Sequence, residues 1–516
     1  MRIIRKTNFW VCVAVVLLLG VIYHIHKNRI ENIQSKVAAV KKGMTEKEFT
    51  RTTGANGGET TEEDDALTTG RTQEENKKTT EEVSSKTTGK TEPSKEDKCR
   101  VQDYNDISSI QPRIKLNPNK FLLPSLVWGP NNQLLGFLDS IVVAIKLNRT
   151  LVIPLFFKHS SDGGMNSLTS ALNRIDILYL AHAISIIDLD RFKKITGGSV
   201  DVVFQTKVTE AVSSGILTGE NKLGVRVIRD SEFPKGRMMP GWEVENQVGE
   251  LDIDDLPKTY KTDLRTAMIV NPFQSLRLSP AEGFASQPFN TINKLTEEEI
   301  LKSPANIIMD FATYSIKRPP YAVYIAADFV KKIINSDYMA VHWRYNWNLI
   351  SVNCDLEKLW NIQPRGRVCG RTIQPKQMAD AIAKKALEIK KEKNLDSYLP
   401  IYIAAPGDLE GFVGKVSEEI ASLLKEKSPK IFLPKDLKAF VDTEYPPEVC
   451  GSIRPTENEL ISLLEMQLFT TSLSFLYSED STLSSVIKHN RRSESHPYDS
   501  PVYELITGIK KNSRLR

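Results

Sequence analysis

The chain has 516 residues, enough for a large core and more than one domain; at 40% hydrophobic and 26% charged it reads as a globular protein diluted by a polar segment. Its 69 basic and 64 acidic side chains leave a net charge of only +5. No basic stripe with interleaved aromatics occurs, so the balance gives no support to a nucleic-acid partner.

Residues 1–8 form a short tail carrying Arg2, Arg5 and Lys6. Residues 9–23 are an apolar run, and extension to Ile25 just reaches the roughly 17 residues that a membrane-spanning helix requires. Tyr23, His24, Ile25 and His26 offer no small-x-small cleavage site, which favours a retained signal-anchor over 9–25 against a removed signal peptide. The basic tail favours a cytoplasmic N-terminus, a bias weakened by Lys27 and Arg29. The expectation is a single-pass type II protein of the Golgi or endoplasmic reticulum membrane with its bulk in the lumen. Residues 26–98 are rich in Thr, Glu, Lys, Ser and Gly and almost free of apolar residues after Val40. Such a segment cannot offset its ordering entropy and reads as a disordered stem.

Cys12 lies in the apolar run, which leaves Cys99, Cys354, Cys369 and Cys450 for an oxidising lumen. An even number there suggests two disulfides, in any of three pairings. Proximity favours Cys354–Cys369 and leaves Cys99–Cys450; buried free thiols are the other reading. The spacings match no zinc pattern.

From Cys99 onward short apolar runs alternate with amphipathic stretches. Strands are expected at 150–156, 185–189, 200–204, 224–228, 267–270, 338–343, 401–404 and 430–433, on their Val, Ile and aromatic content. Leu134, Leu138, Ile141 and Ile145 keep helical spacing, as do Met378, Ile382, Ala386 and Ile389. Alternation of this kind argues for an α/β fold of parallel sheets flanked by helices. Two units are expected, 115–320 and 336–492, joined at Pro319-Pro320 and a helix over 321–334, with a tail over 493–516. Two open sheets facing each other leave a cleft at the C-terminal ends of their strands, where such folds bind ligands.

Three constellations could carry chemistry. The first is Trp128-Gly-Pro-Asn-Asn-Gln-Leu-Leu-Gly-Phe137, which opens a long helix running into Leu147-Asn-Arg-Thr-Leu-Val-Ile-Pro154. Gly129 and Pro130 make a tight turn, and Asn131 or Asn132 can cap the helix, leaving N–H groups that attract phosphate or sugar hydroxyls. The second is Tyr338-Met-Ala-Val-His-Trp-Arg-Tyr-Asn346, a strand in which His342 and Arg344 share one face and Trp343 takes the other. An Arg at a strand's C-terminal end suits a diphosphate, because its planar fork matches phosphate oxygens. The third is strand, polar turn and helix over 475–487, with Ser481 and Thr482 at the helix start. Capping or a structural ion pair accounts for each of them taken singly. Asp188-Leu-Asp190 and Asp252-Ile-Asp254 are short matches to a metal-holding pair, set among other charges. No phosphate-binding Gly-rich loop with Lys-Ser/Thr and no Gly-x-Ser-x-Gly elbow is present.

Taken together, in order and spacing over roughly 115–492, the three constellations resemble the GDP-fucose protein O-fucosyltransferase family. The long stretch from Gly129 to Pro154 carries most of the likeness, His342-Trp343-Arg344 matches the family's His-x-Arg strand, and Ser481-Thr482-Leu483 its late turn. The resemblance implies two facing Rossmann-like domains of the GT-B type and an inverting, metal-independent transfer of fucose from GDP-fucose to Ser/Thr hydroxyls of a secretory-pathway protein, with no cofactor. It implies that Asn131, Asn132 and Gln133 line the sugar cleft, that His342 and Arg344 hold GDP-fucose with Arg344 on the β-phosphate as the catalytic cation, and that Ser481 and Thr482 bind the diphosphate. The chain departs from the family at Pro406, which interrupts a strand end often written Thr-Asp or Ser-Asp, and at Asn131-Asn132, where some members offer a carboxylate. Those departures keep open a non-catalytic binding protein on the same fold, and the anchor and stem, which look more like those of Golgi transferases, keep open a glycan acceptor. Asn148-Arg-Thr150 is a glycosylation sequon that can equally serve to turn the chain.

Overall fold

The computed structural model describes residues 94–158, 166–204, 218–233, 237–239, 255–270, 272, 287–344, 374–405, 410–425, 428–454, 457–478, 481–491 and 498–507. The apolar run 9–25, Cys354, Cys369, the triplet 252–254 and the turn 406–408 lie outside them. No helix among the described residues is long and apolar enough to cross a membrane. Residues 1–88 and 89–516 separate as two units, and the second carries everything below.

The fold is α/β with two parallel sheets. The first contains β1 (Phe121–Ser125), β2 (Thr150–Ile153), β3 (Ile186–Asp188), β4 (Val202–Phe204), β5 (Met238–Met239) and β6 (Thr266–Val270), in the order β3-β2-β1-β6-β4-β5. The second contains β7 (Met339–His342), β8 (Ile401–Ala404), β9 (Ile431–Phe432), β10 (Ser474–Tyr477) and β11 (Ser500–Pro501), in the order β9-β8-β7-β10-β11. Seven helices matter for the site: α1 (Pro130–Lys146), α2 (Ala305–Ser315), α3 (Pro320–Phe329), α4 (Pro375–Glu392), α5 (Glu410–Leu424), α6 (Glu457–Thr471) and α7 (Thr482–Arg491).

Strands in parallel sheets are buried on both faces, and successive side chains feed alternate cores. In β6, Ala267 and Ile269 enter a central core while Met268 and Val270 enter an outer one under Phe192. In β7, Ala340 enters the same central core while Met339 and Val341 pack on α4 and α5 through Met378, Ile382 and Val416. The central core therefore joins one face of each sheet through α1, α2, α3 and α6. Two buried polar ties cross it. Arg174 is ion-paired with Glu459 on α6 and lies over the Phe156 ring at 5.1 Å. Lys98 bonds Asp328 on α3 at 3.2 Å, and Asp328 also accepts from the Tyr445 hydroxyl.

Several expectations shift by a few residues. The strand expected at 150–156 stops at Ile153, because Pro154 has no N–H to continue the ladder; Phe156–Phe157 pairs instead, antiparallel, with Leu168–Thr169. The strand expected at 200–204 divides: Ser199–Val200 pairs with Arg226–Val227 outside the main sheet, and β4 pairs with β6. β1, at the centre of the first sheet, was not among the expected strands, since an internal proline argues against one. Pairing between β1 and β2 involves only Phe121 and Leu122, ahead of Pro124. The described residues open slightly before Cys99: Ser94 and Asp97 form a capping box on the short helix Lys95–Lys98. Cys99 and Cys450 are joined by a disulfide that ties this start to the segment before α6.

Candidate functional site

The second and third constellations meet at one corner, at the C-terminal end of β7. Strand β7 sits between β8 and β10, with His342 level with Ala404 and Tyr477. Its side chains keep the expected alternation. His342 turns toward α6 and α7, with its ring 5.7 Å from Phe469, while Trp343 stacks on Phe412 at 6.0 Å on the other side. Hydrogen bonds lock β7 to the turn after β10: the Ser478 hydroxyl donates to the His342 carbonyl at 3.0 Å and accepts from the Arg344 N–H at 3.0 Å. His342 Nδ1 and the Ser484 hydroxyl lie 2.9 Å apart, which fastens β7 to the first turn of α7.

Helix α7 starts where the sequence expects. The first helical bond runs from the Ser485 N–H to the Ser481 carbonyl at 3.0 Å. The first N–H groups of a helix have no partner within it and carry a partial positive charge. Ser481 is buried and Thr482 half-buried at this end. Arg344 is exposed beside it, with no ion pair among the described residues. The corner thus presents a cation, a helix N-terminus and two hydroxyls together, which is the equipment for a phosphate ester.

His342 is 5% exposed, and burial, then the Arg344 charge, push its pKa down to about 3. Its imidazole is neutral near neutral pH. It sits within the hydrogen-bonded frame of the corner, so its role is to position β7 against α7.

The first constellation has a different character. Helix α1 is capped by Gly129, whose φ of −67° and ψ of 163° are extended, with Pro130 in the first turn and no side-chain cap. Neither Asn131 nor Asn132 is the cap, as the sequence had suggested; Pro130 supplies a preset φ and needs no N–H, so the helix starts ahead of them. Both asparagines are half-buried in that first turn. Gln133 is 1% exposed and its amide is committed to backbone: Nε2 donates to the Trp128 carbonyl at 2.7 Å and the Phe157 carbonyl at 3.2 Å, and Oε1 accepts from the Phe157 N–H at 2.8 Å. Gln133 therefore clamps the turn to the chain beyond β2, where the resemblance placed it in the sugar cleft. The clamp holds Trp128 at φ 73°, a left-handed conformation uncommon for a bulky residue, with its side chain 45% exposed. At the far end, Arg149 donates to the carbonyls of Phe121, Thr262 and Arg265 at 3.4, 3.1 and 3.3 Å. Asn148 is exposed at φ 49°, its Oδ1 accepting from the Asn117 N–H at 2.9 Å. The first constellation reaches the corner through packing of α1 on α7.

Asp188 caps the helix Leu189–Thr196, its Oδ1 accepting from the Arg191 N–H at 2.8 Å, and Asp190 lies in that helix's first turn. Among the described residues no group of three or more His, Cys, Asp or Glu could hold a metal ion.

Neither a family model nor a curated protein matches the chain. Solved structures do. One is POFUT1 in complex with GDP-fucose, at 13% identity and a TM-score of 0.47, over 75% of this chain and 98% of that one. Another is POFUT1 in complex with GDP, at 14% identity and a TM-score of 0.44, over 75% and 98%. The fucosyltransferase NodZ from Bradyrhizobium is similar at 12% identity and a TM-score of 0.33, over 72% and 93%.

Sequence reasoning picked out Ser481 and Thr482 and passed over Ser478 and Ser484, which bind the corner together. Their signal was present: a hydroxyl directly after a strand and another in the following first turn, both on the side of His342.

Proposed function

We propose that this chain is a fucosyltransferase that transfers fucose from GDP-fucose to Ser/Thr hydroxyls of a protein in the secretory pathway, with inversion and without a metal. The observation that carries the reading is the corner itself: an exposed Arg344 locked, through Ser478 and the His342–Ser484 contact, beside the N-terminus of α7. The sequence resemblance supplies the donor's identity.

In this reading the diphosphate of the donor lies across the first turn of α7, taking hydrogen bonds from its N–H groups and from Ser481 and Thr482. As the bond between sugar C1 and the β-phosphate oxygen breaks, negative charge grows on that oxygen. Arg344 meets it, projecting from a backbone that its N–H bond to Ser478 holds in place. Loss of one such preorganised donor costs about 3 kcal/mol of transition-state stabilisation. The acceptor hydroxyl attacks C1 from the opposite face, which inverts the anomeric centre. Asn131 and Asn132 hold sugar hydroxyls from the α1 turn. With amides there in place of a carboxylate, the C1–oxygen bond breaks ahead of attack, through an oxocarbenium-like ion, and the acceptor's proton passes by way of water to the released GDP phosphate on the other face. Facing domains frame the cleft, one over 115–320 and one that starts at 336 and runs past the expected end at 492 to take in β11, and the run 9–25 anchors the chain with this part in the lumen of the Golgi or endoplasmic reticulum.

The test is product analysis. Full-length protein is incubated with GDP-fucose, EDTA and a pool of secretory-pathway proteins, and modified peptides are sequenced by mass spectrometry. The expected result is one deoxyhexose on Ser or Thr, with GDP release cut about 100-fold or more in Arg344→Ala. GDP-fucose binding without any transfer would sink the catalytic reading, and fucose found only on glycans would move the acceptor. A protease that digests the C-terminal part in intact microsomes would refute the lumenal topology.

A further inference from the structure

Three of the buried arginines in this fold have evident partners. Arg149 holds three carbonyls, Arg174 holds Glu459, and Arg491 holds Asp499. Arg318 does not. It lies in the 316–319 link between α2 and α3 and is 5% exposed; its Nε and Nη2, though not its Nη1, are buried with no hydrogen-bond partner among the described residues. A guanidinium taken out of water without a counter-charge is strongly unfavourable, so its presence calls for a reason.

Arg318 lines a cleft of about 700 Å³, within the range of small-molecule sites. Lys317 lines it as well, its ammonium held 5.6 Å from the Tyr179 ring centre and 5.4 Å from that of Phe289. The opposite wall is the last turns of α6 and α7, which contribute Gln467, Thr470 and Asn490. These are two cations and two side-chain amides around one space; the Thr470 hydroxyl donates to the Met466 carbonyl at 2.8 Å.

Among the described residues, two negative features lie near the cleft. Asp176 lines the cleft and keeps its charge; its Oδ1 is turned to Gln102 Nε2 at 2.6 Å and to the Tyr179 N–H at 2.9 Å, so an anion has to sit on the Arg318 side. The carbonyl end of α6 would repel an anion if bare. Arg491 Nη1 covers it, donating to Phe469, Thr470 and Ser472 at 2.8, 2.9 and 2.7 Å. Burial draws the Arg318 pKa down, to about 10.

We propose that this cleft is a binding site for a small molecule bearing a phosphate or sulfate group, with Arg318 as the buried anchor and Lys317, Gln467 and Asn490 around it. The site is separate from the Arg344 corner. The two lie at opposite ends of α7, about 12 Å apart along its axis at 1.5 Å per residue. The proposal does not depend on the donor assignment.

The test titrates inorganic sulfate, and separately inorganic phosphate, into full-length protein in detergent, against chloride at matched ionic strength, by calorimetry and thermal melting. Saturable binding is expected in the wild type and in Arg344→Ala, with affinity at least tenfold lower in Arg318→Gln. Arg318→Gln is also expected to melt no lower than wild type without anion, because it removes an uncompensated charge. Should Arg318→Gln fail to fold, Asn490→Leu serves instead, with a several-fold loss of affinity expected at an unchanged melting temperature. At alkaline pH both probes are dianions; tighter sulfate points to a sulfate ester and tighter phosphate to a phosphate ester. No saturable binding over chloride overturns the site. So does unchanged affinity in the folded variant, or binding abolished by Arg344→Ala, which would place the anion at the corner.

Discussion

The α1 turn and the β7–α7 corner both come from motifs that read as ligand-binding, and the fold uses them differently. In the α1 constellation the side chains with the most conspicuous chemistry, Gln133 and Arg149, are spent on backbone groups. In the corner the buried residues Ser478, Ser484 and His342 bond one another, and Arg344 is left exposed. The long motif is mostly architecture with a few polar groups at its tip; the short one is a frame that presents a cation. A long sequence match can thus report how a turn is built more than what it binds.

That contrast can be broken by substitution. The largest effect is expected at Arg149. Arg149→Ala strands three buried carbonyls and opens a cavity, and should lower the unfolding free energy by about 4 kcal/mol in a denaturant titration. A loss below about 1 kcal/mol would remove Arg149 from the architecture. Gln133→Leu keeps the volume and loses the clamp on Trp128 and Phe157. It should cost about 2–3 kcal/mol by the same titration, with donor affinity changed only a few-fold. If donor affinity collapses while stability holds, Gln133 belongs to the cleft after all.

The corner should respond to acid. Its buried His342 has a folded pKa of about 3 against an ordinary 6.5, so the neutral form is favoured by folding. That stability is fully present above pH 6.5 and is lost as pH falls toward the folded value, at up to about 1.4 kcal/mol per unit. His342→Asn cannot take the proton. Relative to wild type it should flatten the acid slope by roughly 2 kcal/mol between neutral pH and about pH 5. Parallel acid slopes in the two proteins would show that His342 is not shielded as described.

Much of the fold was legible in the sequence because parallel strands, buried on both faces, leave continuous apolar runs. β7 and β8 fall where Tyr338–Trp343 and Ile401–Ala404 announced them. β1 was hidden by Pro124, which its partial pairing with β2 tolerates. The start of α1 was misplaced because Asn131 and Asn132 are good caps by type, whereas Pro130 decides the position. For the site, residue types and spacing brought out His342, Arg344, Ser481 and Thr482. They could not show that Gln133 is consumed by Phe157, a partner 24 residues on that only the folded chain brings near. Nor could they show that Arg318 is buried without a counter-charge, since an Arg before two prolines looks like a solvent-exposed link.

The central claim is that the corner holds a nucleotide-sugar diphosphate through Arg344. Calorimetric titration of GDP-fucose into full-length protein with EDTA present, beside Arg344→Ala, tests it most directly. Saturable binding in the wild type, weakened by roughly tenfold or more in Arg344→Ala at an unchanged melting temperature, is the predicted result. Absence of binding to folded wild-type protein, or equal affinity in the two, would contradict it.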